Sequence, residues 1–339
     1  MSAILVSTTV DGVKPDLQQV IRKYERPNLF KAVWQLANTF VPYIVLCILM
    51  YYSYKAGYSY LITLGFGILA AGLLVRIFIF FHDCAHQSFF ASRKANTILG
   101  YLCGVLTFTP YEEWRKSHGW HHNTFGDLDR RGKGDIWTLT AEEFRTASKP
   151  KRFRYRVFRN PFVLLCIGPA YLFLVSYRYP QKGSKRRQHT SVIFTNAAIA
   201  MIILVASLTI GFKAYALIQF PVIFFAGVIG VWLFYIQHQF EGVYWSRHGQ
   251  WDRIKASLHG SSYYKLPTVI QWFTGNIGLH HIHHLRARIP NYNLQSAYDD
   301  TKALLDIEPL TIRKSITCLR LKLWDEKRQK LVGFKSVYA

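Results

Sequence analysis

Histidine is the residue type whose spacing in this chain could do chemistry. Residues Gly275 to Leu285 read Gly-Asn-Ile-Gly-Leu-His-His-Ile-His-His-Leu, so four imidazoles occupy five positions directly after an apolar run. Two further clusters resemble it: His82 and His86 in Phe-His-Asp-Cys-Ala-His-Gln-Ser, and His118, His121 and His122 in Lys-Ser-His-Gly-Trp-His-His. On a helix, spacings of three and four residues place each cluster's imidazoles on one face. A lone His-x-x-x-His is commonly a core pair, but three clusters, each at the end of an apolar stretch, point to metal ligation. Eight or more imidazoles exceed the roughly four ligands of one tetrahedral ion. Imidazole also suits iron and copper, and two metals sharing one site fit better.

The elements that must position these clusters are membrane spans. Half of the 339 residues are hydrophobic and the mean hydropathy is +0.08. Runs 32–54, 56–75, 190–212 and 214–237 contain no Asp, Glu, Lys or Arg, and each has about the 20 residues that cross a bilayer. The second run is expected to continue as a helix past Arg76 to residue 81, lifting His82 and His86 above the membrane. Two shorter runs, 95–111 and 160–177, are at or below spanning length, and the second carries Gly168-Pro169. If all histidines meet on one side, an even number of crossings separates any two clusters. That parity predicts four spans in two hairpins and two interfacial segments. The expected fold is therefore all-α and polytopic. An arm occupies residues 1–30, the membrane domain 31–300, and a helical cytoplasmic cap 301–339, with the histidine-rich di-metal site on the cap side.

The net charge of +23 does not call for nucleic acid. The basic residues fall in loops that parity assigns to one side, as the positive-inside rule requires. The stretch from Lys149 to Arg159 interleaves basic and aromatic residues, which suits anionic headgroups. Cys47, Cys84, Cys103, Cys166 and Cys318 are scattered and mostly within apolar runs, which suggests buried thiols. No basic-then-apolar cleavable signal stands at the start, so the first span is expected to act as the insertion signal.

Between the clusters, His238 ends the fourth span in Tyr-Ile-Gln-His-Gln-Phe-Glu, the position His82 holds on the second. Glu112 and Glu113 precede the second cluster, and Asp127, Asp129 and Asp135 follow it. Some of these acids could orient imidazoles; pairing with Arg130 and Arg131 is the plainer reading. Trp114, Trp137, Tyr235, Trp245 and Trp272 could line the mouth of a tunnel to the site or form ordinary interfacial belts. Neutral imidazoles hold Fe(II) and leave positions open for dioxygen. The sequence has no HExxH, no Gly-x-Ser-x-Gly and no Walker loop. A metal transporter would place ionisable ligands near the bilayer midplane, whereas these spans are uncharged.

His-Asp-Cys-Ala-His, His-Gly-Trp-His-His and His-His-Ile-His-His resemble the three-box pattern HxxxH, HxxHH, HxxHH of the membrane fatty acid desaturases. Gly-Asp-Ile-Trp, Tyr-Lys-Leu-Pro, Gly-Asn-Ile-Gly and Ile-Pro-Asn-Tyr are similar to the bacterial acyl-lipid desaturases of the Des type, over residues 30–335. The resemblance implies two non-haem irons, O2, an external ferredoxin- or flavodoxin-like donor, and formation of a cis double bond in phospholipid acyl chains. Carried over by motif, the ligands are His82, His86, His118, His121, His122, His280, His283 and His284, with His238 as the additional one. Asp83, Glu241, Asn276 and His281 are then the expected hydrogen-bonding support. No nicotinamide, flavin or haem motif occurs, so electrons must come from another protein. Lys182, Lys185, Arg186 and Arg187 are a candidate landing surface for it. The histidine side is expected to face the cytoplasm of a bacterial cytoplasmic membrane. A related di-iron hydroxylase or ketolase shares the same boxes and remains open.

Overall fold

A computed structural model describes residues 17–305 and 307–337. Residues 1–16 of the expected arm, and residues 306, 338 and 339 of the expected cap, lie outside the described residues. The chain is built mainly of helices. In order they are α1 (Leu17–Arg22), α2 (Leu29–Lys55), α3 (Tyr60–Ala85), α4 (Arg93–Leu106), α5 (Tyr111–Thr124), α6 (Ala141–Thr146), α7 (Lys149–Phe158), α8 (Gly168–Leu174), α9 (Arg186–Thr209), α10 (Phe212–His238), α11 (Arg253–His259), α12 (Thr268–Phe273), α13 (His280–Leu285), α14 (Asn291–Thr301) and α15 (Ile312–Thr317).

Four of them, α2, α3, α9 and α10, are long and apolar enough to cross a membrane. At 24 to 27 residues and 1.5 Å per residue they exceed the ~30 Å hydrocarbon core. Each begins a few residues from the edge of its uncharged run. Asn28, for example, starts α2 by accepting the Lys31 N–H at 2.9 Å, a side-chain N-cap. α9 and α10 are joined through Gly211, whose φ of +87° is a conformation that glycine alone adopts freely. α2 and α9 turn many apolar side chains outward, including Val41, Ile44, Ile193 and Leu204, as a lipid-facing helix must. α3 is the enclosed member: Phe80, Phe81 and Cys84 are fully buried.

Neither of the two short apolar runs forms a long straight helix. α4 has 14 residues, about 21 Å, and is two-faced: Ile98 and Leu102 are exposed, Leu99 and Cys103 buried. α7 and the segment Val163–Arg178 are bent from one another by 67°. That segment leaves Leu164 beside Leu233 and Tyr235, reaches Gly227 with Pro169 and Phe173, and returns to α9 where Arg178 donates to Asn196 Oδ1 at 2.8 Å. It thus runs along α10 and turns to α9.

Beyond the spans the tail is more than helical. β1 (Leu139–Thr140) pairs in parallel with β2 (Leu323–Asp325), which is antiparallel to β3 (Lys330–Val332). This small sheet ties the tail to the loop after the second histidine cluster. Phe144, Tyr155, Leu323 and Val332 fill the space beneath it. α1 packs on α14 through Ile21, Leu294 and Ala297.

Candidate metal centre

Four helix ends converge on one point. His82 is in the last turn of α3, with His86 just past it; α5 carries His118, His121 and His122; His238 closes α10; α13 carries the third cluster. α13 is seated by Gly278, where a Cβ would lie 2.4 Å from the Tyr264 carbonyl oxygen. The imidazoles assemble into two groups that could each hold a metal ion. One comprises His82, His86, His118, His122 and His283, the other His121, His238, His280 and His284. The groups adjoin, for the His122 and His284 rings stack with centroids 4.2 Å apart.

The second and third boxes are thus split between the groups, while His82 and His86 stay together. Residues four apart stay together, as His118 with His122 and His280 with His284, while His121 and His283, three residues from the first of each pair, cross to the other group. One residue is 100° around a helix, so i+3 and i+4 positions flank a face and aim at two adjacent points.

The distances test whether metals fit. His118 Nε2 is 3.0 Å from His86 Nε2 and 3.1 Å from His122 Nε2, which is 3.1 Å from His283 Nε2. A neutral imidazole nitrogen bears either a proton or a lone pair, so protons alone cannot fill all three contacts in this chain. In the other group, His238 Nε2 lies 3.0 Å from His121 Nε2 and 3.1 Å from His280 Nε2. With metal–imidazole bonds of about 2.1 Å, ligands at right angles stand about 3.0 Å apart, so the spacing matches donors around a common cation. His82 Nε2 and His284 Nε2 are buried with no hydrogen-bond partner, as lone pairs awaiting a cation would be.

Electrostatics favour the ligating form. Burial, reinforced by neighbouring imidazoles, holds His118, His122, His280, His283 and His284 well below the ordinary histidine range. They are neutral at pH 7, as metal ligands must be. Outer contacts fix ring orientation. His82 Nδ1 lies 3.2 Å from Asp83 Oδ1, and Asp83 Oδ2 accepts from the Asn291 backbone and side chain at 2.7 and 2.9 Å. Gln35 of α2 donates in turn to Asn291 Oδ1 at 3.0 Å. His121 Nδ1 meets Asp135 Oδ1 at 2.5 Å, and His238 Nδ1 faces the Gly260 carbonyl at 3.3 Å.

Of the expected supporting residues, Asp83 alone touches a grouped imidazole. Asn276 donates to the Asn291 carbonyl at 2.9 Å, one step removed. His281 is fully buried between the Tyr263 and Tyr298 rings on the far face of α13, and burial pushes it down to about 3. Glu241 lies on an exposed surface recess with Leu321 and Arg328, away from the histidines; Gly242, at φ +82°, turns the chain there. Of the loop acids, Asp135 serves an imidazole of the site. Asp127 faces His248 and Asp129 pairs with Arg247. Trp114 stacks on His118 at 4.2 Å, whereas Trp245 and Tyr235 are buried among other side chains and Trp272 lies over Arg76. Asn291, unremarked among candidate site residues, sits in the Ile-Pro-Asn-Tyr motif, and only its contacts reveal its part.

Four apolar helices with a buried double histidine site at their ends define the architecture of an integral membrane metalloprotein. The family model described as Fatty acid desaturase matches residues 58–315. A "Fatty acid desaturase" of Bacillus subtilis is 41% identical over 333 residues, covering 98% of this chain and 94% of the relative. An "sn-1 oleoyl-lipid 12-desaturase" of Synechocystis is 26% identical over 68% of this chain and 65% of its own. An "sn-2 acyl-lipid omega-3 desaturase (ferredoxin), chloroplastic" of Arabidopsis thaliana is 28% identical over 78% of this chain and 61% of its own. The chain belongs to the fatty acid desaturase family.

Proposed function

We propose that the protein is an O2-dependent acyl-lipid desaturase that introduces a cis double bond into the acyl chains of membrane phospholipids. Two irons would be held by the five-histidine group (His82, His86, His118, His122, His283) and the four-histidine group (His121, His238, His280, His284), with electrons from a separate ferredoxin- or flavodoxin-like carrier. The observation that carries this reading is the pair of adjoining, buried, all-imidazole groups. Such donors suit Fe(II) while leaving open positions. With dioxygen, two bound irons would supply an oxidant able to take hydrogen from an unactivated C–H bond.

The chain's own residues set the conditions. Asp83 and Asp135 hold Nδ1 of His82 and His121, directing their Nε2 lone pairs inward. The rings of Trp114, Phe125 and Phe234 against the imidazoles keep water from the site. The exposed apolar faces of α4 and α12, with Ile98, Leu102, Val269 and Ile270, give a lipid substrate an approach from the bilayer. Relatives named for acyl lipids and for ferredoxin support the substrate class and the donor. The turns at the end remote from the histidines carry only Lys55 and Lys213 among 42 basic residues. That asymmetry supports histidines facing the cytoplasm of a bacterial cytoplasmic membrane.

The test is gas chromatography with mass spectrometry of total fatty acids from an aerobic host expressing the chain beside His283→Ala. A new monounsaturated acid in the wild-type culture alone is expected. A product heavier by one oxygen would instead make the protein a hydroxylase, and a purified protein that binds no iron would overturn the metal assignment.

A further inference from the structure

The inner face of α5 presents three imidazoles to the site, and its outer face is open to solvent. Trp120, between Gly119 and His121 in the second histidine box, is 45% exposed. Among the described residues it is the one exposed large hydrophobic side chain between Leu102 and Phe153. Its surroundings are polar and basic. The Lys133 ammonium stands 5.7 Å from its ring centroid. Lys116, one turn earlier on the helix, donates to the Gly183 carbonyl at 2.9 Å, which draws the exposed Lys182, Lys185 and Arg186 to the same side.

Acidic groups in this region point the other way. Glu112 and Glu113 are each 4% exposed; Glu112 pairs with Arg187 at 2.7 Å and Glu113 accepts from Ser184 at 2.6 Å. Asp135 is engaged by His121. The outer surface is therefore basic around one exposed indole, laid on a single helix whose other side carries the metal-binding rings. A helix is about 10 Å across, so this is a short route from solvent to the site.

We propose that the outer face of α5, centred on Trp120 and rimmed by Lys116, Lys133, Lys182, Lys185 and Arg186, is the docking surface for an acidic one-electron carrier protein. The inference rests on the desaturase reading above. In each encounter the carrier's reduced centre loses one electron and the metal pair gains it, with no bond made or broken. Charge complementarity steers the encounter, and a large aromatic on a polar rim is the usual anchor of a protein contact. A lipid surface fits this patch less well than it fits α7. There Lys151, Arg152 and Arg154 are accompanied by exposed Phe153 and Val157, and the chain runs on into the exposed Phe162 and Ile167. Trp120 has no such apolar company.

The test uses the purified full-length, iron-loaded protein and a plant-type [2Fe–2S] ferredoxin as the probe. Binding is followed by surface plasmon resonance across a salt series, and carrier oxidation by stopped-flow absorbance. For Trp120→Ala combined with Lys116→Glu and Lys133→Glu, affinity should fall by about tenfold or more and its salt dependence should flatten. Reduction of the metal site by dithionite, and binding to anionic vesicles, should be unchanged, whereas Lys151→Glu with Arg154→Glu should weaken vesicle binding and leave the carrier's affinity alone. If the triple variant fails to load iron, the milder Lys116→Gln with Lys133→Gln carries the same prediction at smaller size. Unaltered affinity and salt dependence would overturn the proposal, as would a loss confined to vesicles, which would make the patch a membrane surface. The desaturase reading fails separately, if dithionite-reduced wild-type protein with O2 and phospholipid yields no unsaturated product.

Discussion

The two histidine groups share the second and third boxes but are held from different sides. The five-histidine group hangs on the membrane helices: His82 and His86 end α3, and the line His82–Asp83–Asn291–Gln35 reaches across to α2. The four-histidine group is braced from outside the bilayer, by Asp135 in the loop after α5 and by the Gly260 carbonyl after α11. Both positions take ligands from a span, from α5 and from α13, but the outer contacts of the first lead to α2 and those of the second to polar loops. The groups also differ in redundancy. Losing one ligand leaves four imidazoles in the first and three in the second.

The sharpest way to break this comparison is ligand removal. His280→Ala and His283→Ala should each reduce product formation by at least about a hundredfold, since even outer partners of ligands contribute tenfold to a hundredfold. Elemental analysis should separate them: the His280→Ala protein loses close to one metal per chain, and the His283→Ala protein keeps more. Equal losses would mean that the unequal ligand counts have no consequence.

The outer carboxylates give the next largest effect. Asp135→Asn should weaken metal binding by about tenfold to a hundredfold at the four-histidine group, with little change in thermal stability. Asp83→Asn should weaken the other group similarly. It should also cost about 1–3 kcal/mol in stability, because the buried Asn291 amides lose a charged acceptor. Metal-competition titrations and thermal unfolding measure the two quantities. If both variants leave stability alike, the anchoring to α2 is unimportant.

Acidification should give the smallest and least selective effect. Burial holds His118, His122 and His283 of one group, and His280 and His284 of the other, well below the ordinary histidine value near 6.5, so below that pH the unfolded chain binds more protons than the folded one. Stability therefore falls as pH drops from about 6.5, and metal should leave both groups over the same range. Melting temperature and metal retention between pH 8 and 5 check this. Earlier release from one group would show that something other than shared burial controls protonation there.

Much of this was legible in the residues because the signals are local and strong. An uncharged run of about 20 residues has few fates besides a span. Parity assigns 95–111 and 160–177 to the interface; in the structure the first holds the short, two-faced α4 and the second bends by 67° and packs beside α10. The small sheet was not legible, since strands of two and three residues carry no periodicity. Nor was the choice among acids. Asp127, Asp129 and Asp135 read alike in a polar loop, and Glu241 follows His238 closely in sequence, yet the turn at Gly242 carries it to the surface while Asp135 arrives at His121.

By itself the sequence determined that this chain has four segments long and apolar enough to cross a membrane and histidines clustered at their ends, because hydrophobic length and residue spacing are properties of the chain alone. Only the tertiary structure decided that the nine imidazoles divide into five and four. A helix fixes the angle between its own side chains, but which point each one meets depends on where the other helices stand.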